Sequence, residues 1–196
     1  DDVDIIHLHG HRHLLNNAAV RWAKPRGIPY VLTANGTLLR HERKIGVKWL
    51  WDQVVAGDIP NDAARLIAVS AADVVRHRQA GVPADKIDRI PNGLDLGEFE
   101  RLPERGLFRA AHGLGKDPVV TYLGRVSPRK GVENLVRAFA GSGLSPAQLV
   151  VAGNDMGGMD AAMSEPHSAD VHFVGLVQGD QRLSLLADTD VLVYPS

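Results

Sequence analysis

The sequence contains no cysteine, which excludes disulfides, thiolate metal sites and a cysteine nucleophile and fits a reducing cytoplasm. It also lacks any apolar run near the roughly 18 residues that a membrane span requires, and it shows no signal peptide. The formal net charge is only -1, so no global field draws the chain to nucleic acid. We therefore expect a cytoplasmic protein without a nucleic-acid partner.

The remaining composition is ordinary for a soluble globular protein. Of the 196 residues, 44% are hydrophobic and 23% are charged, and this length suits one large or two small α/β domains. The first residues, Asp1 to Ile6, lead directly into a strand pattern. We therefore expect the start of the chain to be truncated.

Short β-branched apolar runs alternate with longer helical patterns. The runs predict strands at 3–8, 30–33, 66–69, 87–90, 119–123, 148–152, 171–174 and 191–194. The helical patterns lie at 16–24, 71–80, 132–140 and 182–187. Strands that alternate with helices form parallel sheets covered on both faces. The fold class is therefore predicted to be α/β, with two doubly wound, Rossmann-like domains that are both incomplete.

One glycine- and charge-rich stretch, 96–116, interrupts this alternation. It predicts an interdomain connection between a partial N-terminal domain at 1–95 and a partial C-terminal domain at 117–196. Two such domains face each other across a cleft. Ligands of open α/β sheets bind there, beyond the carboxyl ends of the strands.

The strongest candidate for chemistry is the segment GRVSPRKG, from Gly124 to Gly131, which follows a predicted strand and opens a predicted helix. Glycines allow a close approach of the backbone to a ligand, and a helix start offers unpaired N–H groups. Arg125 supplies a planar fork for phosphate oxygens, and Lys130 supplies a compact charge. The segment predicts a diphosphate site; a solvated basic turn is the alternative.

Several motifs resemble, in the same order, those of the retaining GT-B glycosyltransferases of family 4. They are DIIHLH at 4–9, IAVS at 67–70, IPNGLD at 90–95, YLGRVSPRKGVENLVRAF at 122–139, VHFVG at 171–175 and VLVYPS at 191–196. Together they extend over nearly the whole chain. The resemblance implies an acceptor-side N-terminal domain and a C-terminal domain that binds a nucleotide-sugar donor.

The resemblance also implies a reaction, in which a sugar moves from a nucleoside diphosphate to an acceptor hydroxyl with retained anomeric configuration. Arg125 and Lys130 would stabilise the leaving diphosphate, with further donor contacts at Gly124, Gly131 and Gly175. No metal or other cofactor is expected. The departing phosphate can take the acceptor's proton, so neither a Ser-His-Asp arrangement nor a close carboxylate pair is required.

His9 is the third catalytic candidate, because in the family the second histidine of this strand approaches the donor sugar. His7 and His9 alternate with apolar residues, so both lie on one face of the strand. Capping of the strand edge is the alternative role. The spacing of four histidines, at 7, 9, 11 and 13, raises the possibility of a metal site, but Gly10 interrupts the strand and we expect no metal.

The sequence departs from the family pattern in two internal loops. Asn35 precedes Gly36 where many members have a histidine; it can form hydrogen bonds with acceptor or sugar, or it can serve only as a turn former. Acceptor-side contacts are therefore predicted at Asn35, Gly36 and Arg40. The segment 153–158 replaces the usual glycine-rich turn, and we interpret it as a strand-to-helix connection rather than a ligand contact.

The third departure concerns the ends of the chain. The family's paired glutamates lie beyond the final PS motif, and its first strand and glycine-rich loop would precede Asp1. Uncovered sheet edges tend to pair with another chain, so we expect the chain either to self-associate or to need the missing segments for stability. A catalytically incompetent nucleotide-sugar-binding fragment is thus the alternative function. A sugar-nucleotide epimerase is disfavoured because the acidic and histidine groups that it needs are not found. A flavodoxin-like receiver is disfavoured because it needs an acidic cluster at the first strand and, as a single domain, would not need the interdomain connection.

The stretch 38–51 combines basic residues with leucines and two tryptophans. Such a composition suits a membrane surface or a lipid-linked acceptor, and the corresponding region in the family often serves one of these. An ordinary amphipathic helix with a solvated basic edge is the favoured alternative. Peripheral membrane contact through 38–51 is therefore a secondary prediction.

Overall fold

Parallel strands alternate with helices through both halves of the chain. A computed structural model describes residues 2–38, 58–165 and 170–195. The chain divides into two units, Asp1–Leu94 and Asp95–Ser196. Each unit carries its own parallel sheet, so the doubly wound α/β fold expected from the sequence is confirmed.

The first unit is built on a sheet with the strand order β1-β2-β3-β4. Its elements are β1 (Ile6–His9), α1 (Leu14–Ala23), β2 (Tyr30–Thr33), α2 (Ile59–Asp62), β3 (Arg65–Ala68), α3 (Ala71–Gln79) and β4 (Ile87–Arg89). Leu8, Leu32 and Leu66 lie at matching positions of adjacent strands and are buried. This row of leucines forms the centre of the unit's core.

Two details of the first unit show how local chemistry sets element bounds. The side chain of Ser70 accepts a hydrogen bond from the backbone N–H of Asp73 at 3.1 Å, so the predicted cap of α3 is confirmed. Strand β1 begins at Ile6 rather than at the predicted Val3. The N–H of Ile6 donates to the carbonyl of Pro29, just before β2 begins, so within the described part of the chain the residues before Ile6 have no strand beside them to pair with.

The second unit has the strand order β7-β6-β5-β8. Its elements are α4 (Leu107–His112), β5 (Val119–Leu123), α5 (Val132–Gly141), β6 (Gln148–Ala152), α6 (Met159–Ser164), β7 (Val171–Gly175), α7 (Gly179–Asp188) and β8 (Val191–Leu192). From β5 the chain proceeds outward to β6 and β7, and then returns to the other side of β5 for β8. The strand order therefore reverses at β5, and such a switch point is where open α/β sheets bind ligands.

Helix α4 lies within the stretch predicted as the interdomain connection. Phe108 is buried in a cluster with Leu114 and Leu185. The buried carboxylate of Asp188 accepts N–H bonds from Gly106 and, at 3.0 Å, from Arg109. Part of 96–116 thus belongs to the core of the second unit. Among the described residues, no helix is both long and apolar enough to cross a membrane.

Candidate functional site

The candidate residues of the second unit follow the carboxyl ends of its strands. Gly124 to Gly131 directly follow β5, an interior strand of the sheet, and Gly175 is the last residue of β7. We call the segment Gly124–Gly131 the basic turn. Residues 128–130 form a short 3-10 turn, and α5 begins at Val132. The predicted strand–turn–helix arrangement is therefore present, and it places the basic turn at the switch point of the sheet.

Backbone hydrogen bonds join the basic turn to the loop that follows β6. The N–H of Gly124 donates to the carbonyl of Ala152 at 3.0 Å, and that of Val126 to the carbonyl of Asn154 at 2.9 Å. In return, the N–H of Met156 donates to the carbonyl of Val126 at 2.7 Å. These bonds extend the parallel pairing of β5 and β6 past the ends of the two strands. The position of the basic turn is thus fixed by its neighbour.

Two glycines make this close contact between loops possible. A Cβ atom on Gly153 would lie 1.7 Å from the carbonyl oxygen of Gly124, and one on Gly158 would lie 2.7 Å from the Cα of Ser127. No larger residue fits at either position without moving the backbone. The loop 153–158, interpreted from the sequence as a plain connection, therefore supports the basic turn.

Asp155 holds the supporting loop in shape. One carboxylate oxygen accepts hydrogen bonds from the backbone N–H groups of Gly157, Gly158 and Met159 at 3.0 to 3.1 Å. The bonds from Met159 and Gly158 contribute most to a pKa that lies below the ordinary value of an aspartate, because they stabilise the charged carboxylate. Sequence reasoning missed this residue, although an aspartate two positions before a glycine pair is a recognisable turn signal.

Arg125 and Lys130, the two residues of the turn predicted to bind phosphate, are supported in different ways. The hydroxyl of Tyr122 donates to the carbonyl of Arg125 at 2.7 Å, which fixes the backbone at that residue. The ammonium of Lys130 lies over the ring of Tyr194, 5.4 Å from its centroid. Gly175 is joined to the same region, since its carbonyl accepts the N–H of Gly153 at 2.7 Å. The structure thus brings the predicted donor-side residues around one edge of the sheet.

In the first unit, His7 and His9 lie on the same face of β1, as predicted. Their ring centroids are 4.2 Å apart, and the Nε2 atom of His7 is 2.7 Å from the hydroxyl of Thr33 on β2. Partial burial, and then the nearby His9, lower the pKa of His7 from its ordinary value. His9 is the last residue of β1, so its ring lies at the carboxyl edge of this sheet.

Asn35 and Gly36 form a tight turn beyond β2, in which both residues have positive φ angles, 48° and 74°. The N–H of Thr37 closes this turn on the carbonyl of Ala34 at 3.0 Å. The loop after β1 attaches to it. The N–H of His11 donates to the Thr37 hydroxyl at 2.7 Å, and the guanidinium of Arg12 donates to the Thr37 carbonyl.

Sequence analysis did not single out Arg12, which also has a positive φ of 67°. A positive φ is unusual for a non-glycine residue, and no local pattern announces it. Arg40 and the stretch 39–51 lie outside the described residues. The described residues contain no group of three or more His, Asp or Glu side chains placed to hold a metal ion.

Comparison with known proteins adds two family matches. Residues 1–98 match the model of Glycosyltransferase Family 4, and residues 104–196 match that of Glycosyl transferases group 1.

Two curated relatives and one solved structure extend this picture. A GDP-mannose-dependent alpha-(1-6)-phosphatidylinositol monomannoside mannosyltransferase of Mycolicibacterium smegmatis is 38% identical over 82 residues, which are 41% of this chain and 22% of the relative. A GDP-mannose-dependent alpha-mannosyltransferase of Mycobacterium tuberculosis is 25% identical over 199 residues, 98% of this chain and 49% of the relative. This chain thus spans less than half of either relative.

The solved structure is that of Anabaena HepE in complex with UDP-glucose. It superimposes with a TM-score of 0.75 at 22% identity, over 97% of this chain and 52% of that one. At this identity the likeness establishes a shared fold.

Proposed function

Because the chain belongs to the glycosyltransferases of family 4 and group 1, we propose that it transfers a sugar from a nucleoside-diphosphate donor to an acceptor hydroxyl with retention of configuration. The observation that carries this proposal is the basic turn. It presents Arg125 and Lys130 beyond the carboxyl end of β5, where the strand order reverses. This is the position at which related α/β folds bind nucleotides.

The proposed chemistry assigns the basic turn to the leaving group. The bond between the anomeric carbon and the diphosphate oxygen breaks, and negative charge develops on the diphosphate. Arg125 and Lys130 stabilise that charge, and one well-placed donor of this kind can contribute roughly 3 kcal/mol to a transition state. The acceptor oxygen bonds to the anomeric carbon, and its proton passes to the departing phosphate. In this proposal His9 contacts the donor sugar, and no metal is required because the two cations neutralise the diphosphate.

The donor is proposed to be a nucleotide sugar, with GDP as the first nucleotide to test. Both of these curated relatives are named as GDP-mannose-dependent, whereas the solved structure of similar fold holds UDP-glucose. The contacts proposed for Arg125 and Lys130 are with phosphate and not with a base. The nucleotide therefore has to be identified by comparison of GDP, UDP and ADP.

The decisive experiment is calorimetric titration of the chain with these three nucleotides. We expect one of them to bind, and Lys130→Ala to weaken it roughly tenfold to hundredfold, as expected for the loss of a charged hydrogen bond. Lys116→Ala is the matched control, because Lys116 precedes β5 and lies at the opposite end of that strand. Equal affinity in the wild type and Lys130→Ala would contradict the role of the basic turn.

A nucleotide-sugar-binding fragment without catalytic competence is the second candidate function. The chain spans 49% or less of the length of the two curated relatives. Incubation with GDP-mannose and UDP-glucose distinguishes the two functions. Release of nucleoside diphosphate that depends on Arg125 and Lys130 supports the enzyme, whereas tight binding without release supports the fragment.

The acceptor is proposed to be a sugar or a lipid-linked sugar. One relative is named for action on a phosphatidylinositol mannoside, and the sequence of 38–51 joins basic residues to leucine and tryptophan, a composition that suits anionic membrane surfaces. Sedimentation with anionic vesicles at low salt tests this contact. Neutral vesicles and high salt are the controls, because electrostatic attachment should disappear in both.

A further inference from the structure

Tyr194 reaches the basic turn through strand pairing rather than through sequence proximity. Strand β8 pairs with β5, with Val191 opposite Val120, and the N–H of Val193 continues this pairing to the carbonyl of Thr121 at 2.8 Å. The residues that follow β8 therefore run alongside the end of β5. Tyr194, the next residue, is delivered to the start of the basic turn.

The ring of Tyr194 spans the two ends of the basic turn. A Cβ atom on Gly124 would lie 2.6 Å from the Tyr194 hydroxyl oxygen, so the glycine leaves the space that the hydroxyl occupies. At the other end, the Lys130 ammonium lies 5.4 Å from the ring centroid. The ring of Tyr122 packs beside it, with the centroids 5.6 Å apart. Tyr194 is nevertheless 54% exposed, so it does not serve merely to fill the core.

An aromatic face beneath a lysine has a specific physical effect. The ring quadrupole attracts an ammonium within about 6 Å of the centroid. A lysine side chain loses roughly 1.5 to 2 kcal/mol of rotamer freedom when it is fixed. If the ring already restricts the ammonium, the lysine loses less rotamer entropy when a ligand binds. The face of the Tyr194 ring contacts one side of the Lys130 ammonium.

We propose that Tyr194 is a positioning residue, which holds Lys130 over the basic turn and so prepares it for the donor diphosphate. This inference rests on the proposed function, in that Lys130 is taken to bind the diphosphate. The two tyrosines then have separate tasks. Tyr122 fixes the backbone of Arg125 through its hydroxyl, and Tyr194 orients the Lys130 side chain through its ring.

Nucleotide affinity in paired variants tests the inference. We expect Tyr194→Leu to weaken binding of the nucleotide identified by calorimetry roughly two- to fivefold, the range of an exposed cation–π contact. Tyr194→Phe keeps the ring and should bind as the wild type does. In the Lys130→Ala background, Tyr194→Leu should have no further effect, whereas in the Arg125→Ala background it should keep its full effect.

Ring fluorination isolates the electrostatic part without changing the packing. In Tyr194→Phe, the phenyl ring is replaced by analogues with one, two and three ring fluorines, which weaken the quadrupole at nearly constant size. We expect nucleotide affinity to decrease with each fluorine. A constant affinity across the series, or equal or tighter binding by Tyr194→Leu, would overturn the positioning role. The fluorinated series still tests the positioning role if Tyr194→Leu does not fold.

A spectroscopic measurement tests the contact without any nucleotide. The side-chain methylene protons nearest the Lys130 ammonium should show upfield ring-current shifts that persist in Tyr194→Phe and are lost in Tyr194→Leu. Unchanged shifts in the leucine variant would refute the contact. If Lys130→Ala weakens nucleotide binding and Tyr194→Leu does not, this inference fails while the proposed function stands. If no nucleotide binds the wild type, both fail.

Discussion

The two units carry parallel sheets of similar construction, but their candidate edges are built differently. In the second unit, backbone groups define the edge: the basic turn and the loop after β6 exchange N–H···O=C bonds, and glycine permits their approach. In the first unit the backbone N–H of Gly10 also donates to the carbonyl of Thr33, but side chains add to the edge through the pair His7–His9 and the hydroxyl of Thr33. A backbone-built edge has little freedom to vary, which suits the proposed contact with a diphosphate, the part that nucleotide-sugar donors share. Side-chain contacts of this kind can be changed residue by residue, which suits the proposed contact of His9 with the donor sugar.

The largest effect that separates the two edges is expected from Gly153→Ala. The added Cβ would meet the Gly124 carbonyl, so the two loops must separate, and we expect a loss of about 3 kcal/mol in the free energy of unfolding. Gly141→Ala is the control, because a Cβ there meets nothing within 4 Å and alanine is the better helix former. Urea unfolding followed by far-UV circular dichroism measures both variants.

Tryptophan fluorescence allows unfolding of the first unit to be followed separately from that of the second. All three, at positions 22, 49 and 51, belong to the first unit. Their fluorescence during the same unfolding experiment should therefore be unaffected by Gly153→Ala. If the fluorescence and dichroism transitions shift together, the units unfold as one cooperative body and the comparison between them does not hold.

As the pH is lowered, the first unit should lose stability at a higher pH than the second unit. Burial, opposed in part by Asp73, lowers the pKa of His77, and the pKa of His7 is also lowered. The pKa of a histidine in the unfolded chain is about 6.5. Below that pH the unfolded state binds more protons than the folded state, so stability falls as the pH decreases. One such histidine contributes a slope of at most about 1.4 kcal/mol per pH unit.

In the second unit, the groups whose pKa is lowered are carboxylates, among them Asp155 and Asp190. Their stabilisation is present above the ordinary aspartate pKa of about 4 and is lost only below it. Tryptophan fluorescence during acid titration should therefore change at a higher pH than dichroism of the whole chain. His77→Leu should reduce the slope between about pH 6.5 and about pH 5. An unchanged slope would assign the acid sensitivity to other groups.

The smallest expected effect comes from Thr33→Val, which removes the hydroxyl that contacts His7. We expect a loss of about 1 kcal/mol, typical of one hydrogen bond, visible in tryptophan-monitored unfolding. Thr121→Val is the matched variant in the second unit, where a buried strand threonine contacts the hydroxyl of Thr189 at 2.8 Å. Thr121→Val should leave the midpoint of the tryptophan-monitored unfolding transition unchanged. A shift of that transition would show that the two sheets are energetically coupled.

Sequence reasoning succeeded where the pattern is local. The bounds of β2, β5 and β6 agree with their apolar runs, and both the shared face of His7 and His9 and the cap at Ser70 were predictable from alternation and residue type. The basic turn was found because a strand, glycines, charges and a helix follow one another directly in the chain.

The missed features depend on distant partners. Helix α4 has a glycine-rich surrounding sequence, and its cap is the carboxylate of Asp188, about eighty positions away. The supporting role of 153–158 emerges only when Gly153 meets Gly124. Tyr194 was predicted as a strand residue, yet β8 ends at Leu192, which leaves its ring available to Lys130. Periodicity cannot show which loop lies beside which.

The pairing of β8 with β5 has a consequence for the order of folding. Val120 meets Val191 only after about seventy intervening residues have been brought together, and closure of so long a loop carries an entropic cost that local contacts do not. Contacts of high sequence separation slow folding. The basic turn can therefore form its backbone bonds with the nearer β6 loop first and receive the Tyr194 ring in a later step. Maturation of the edge proposed to bind the diphosphate would then lag behind formation of the sheet that carries it.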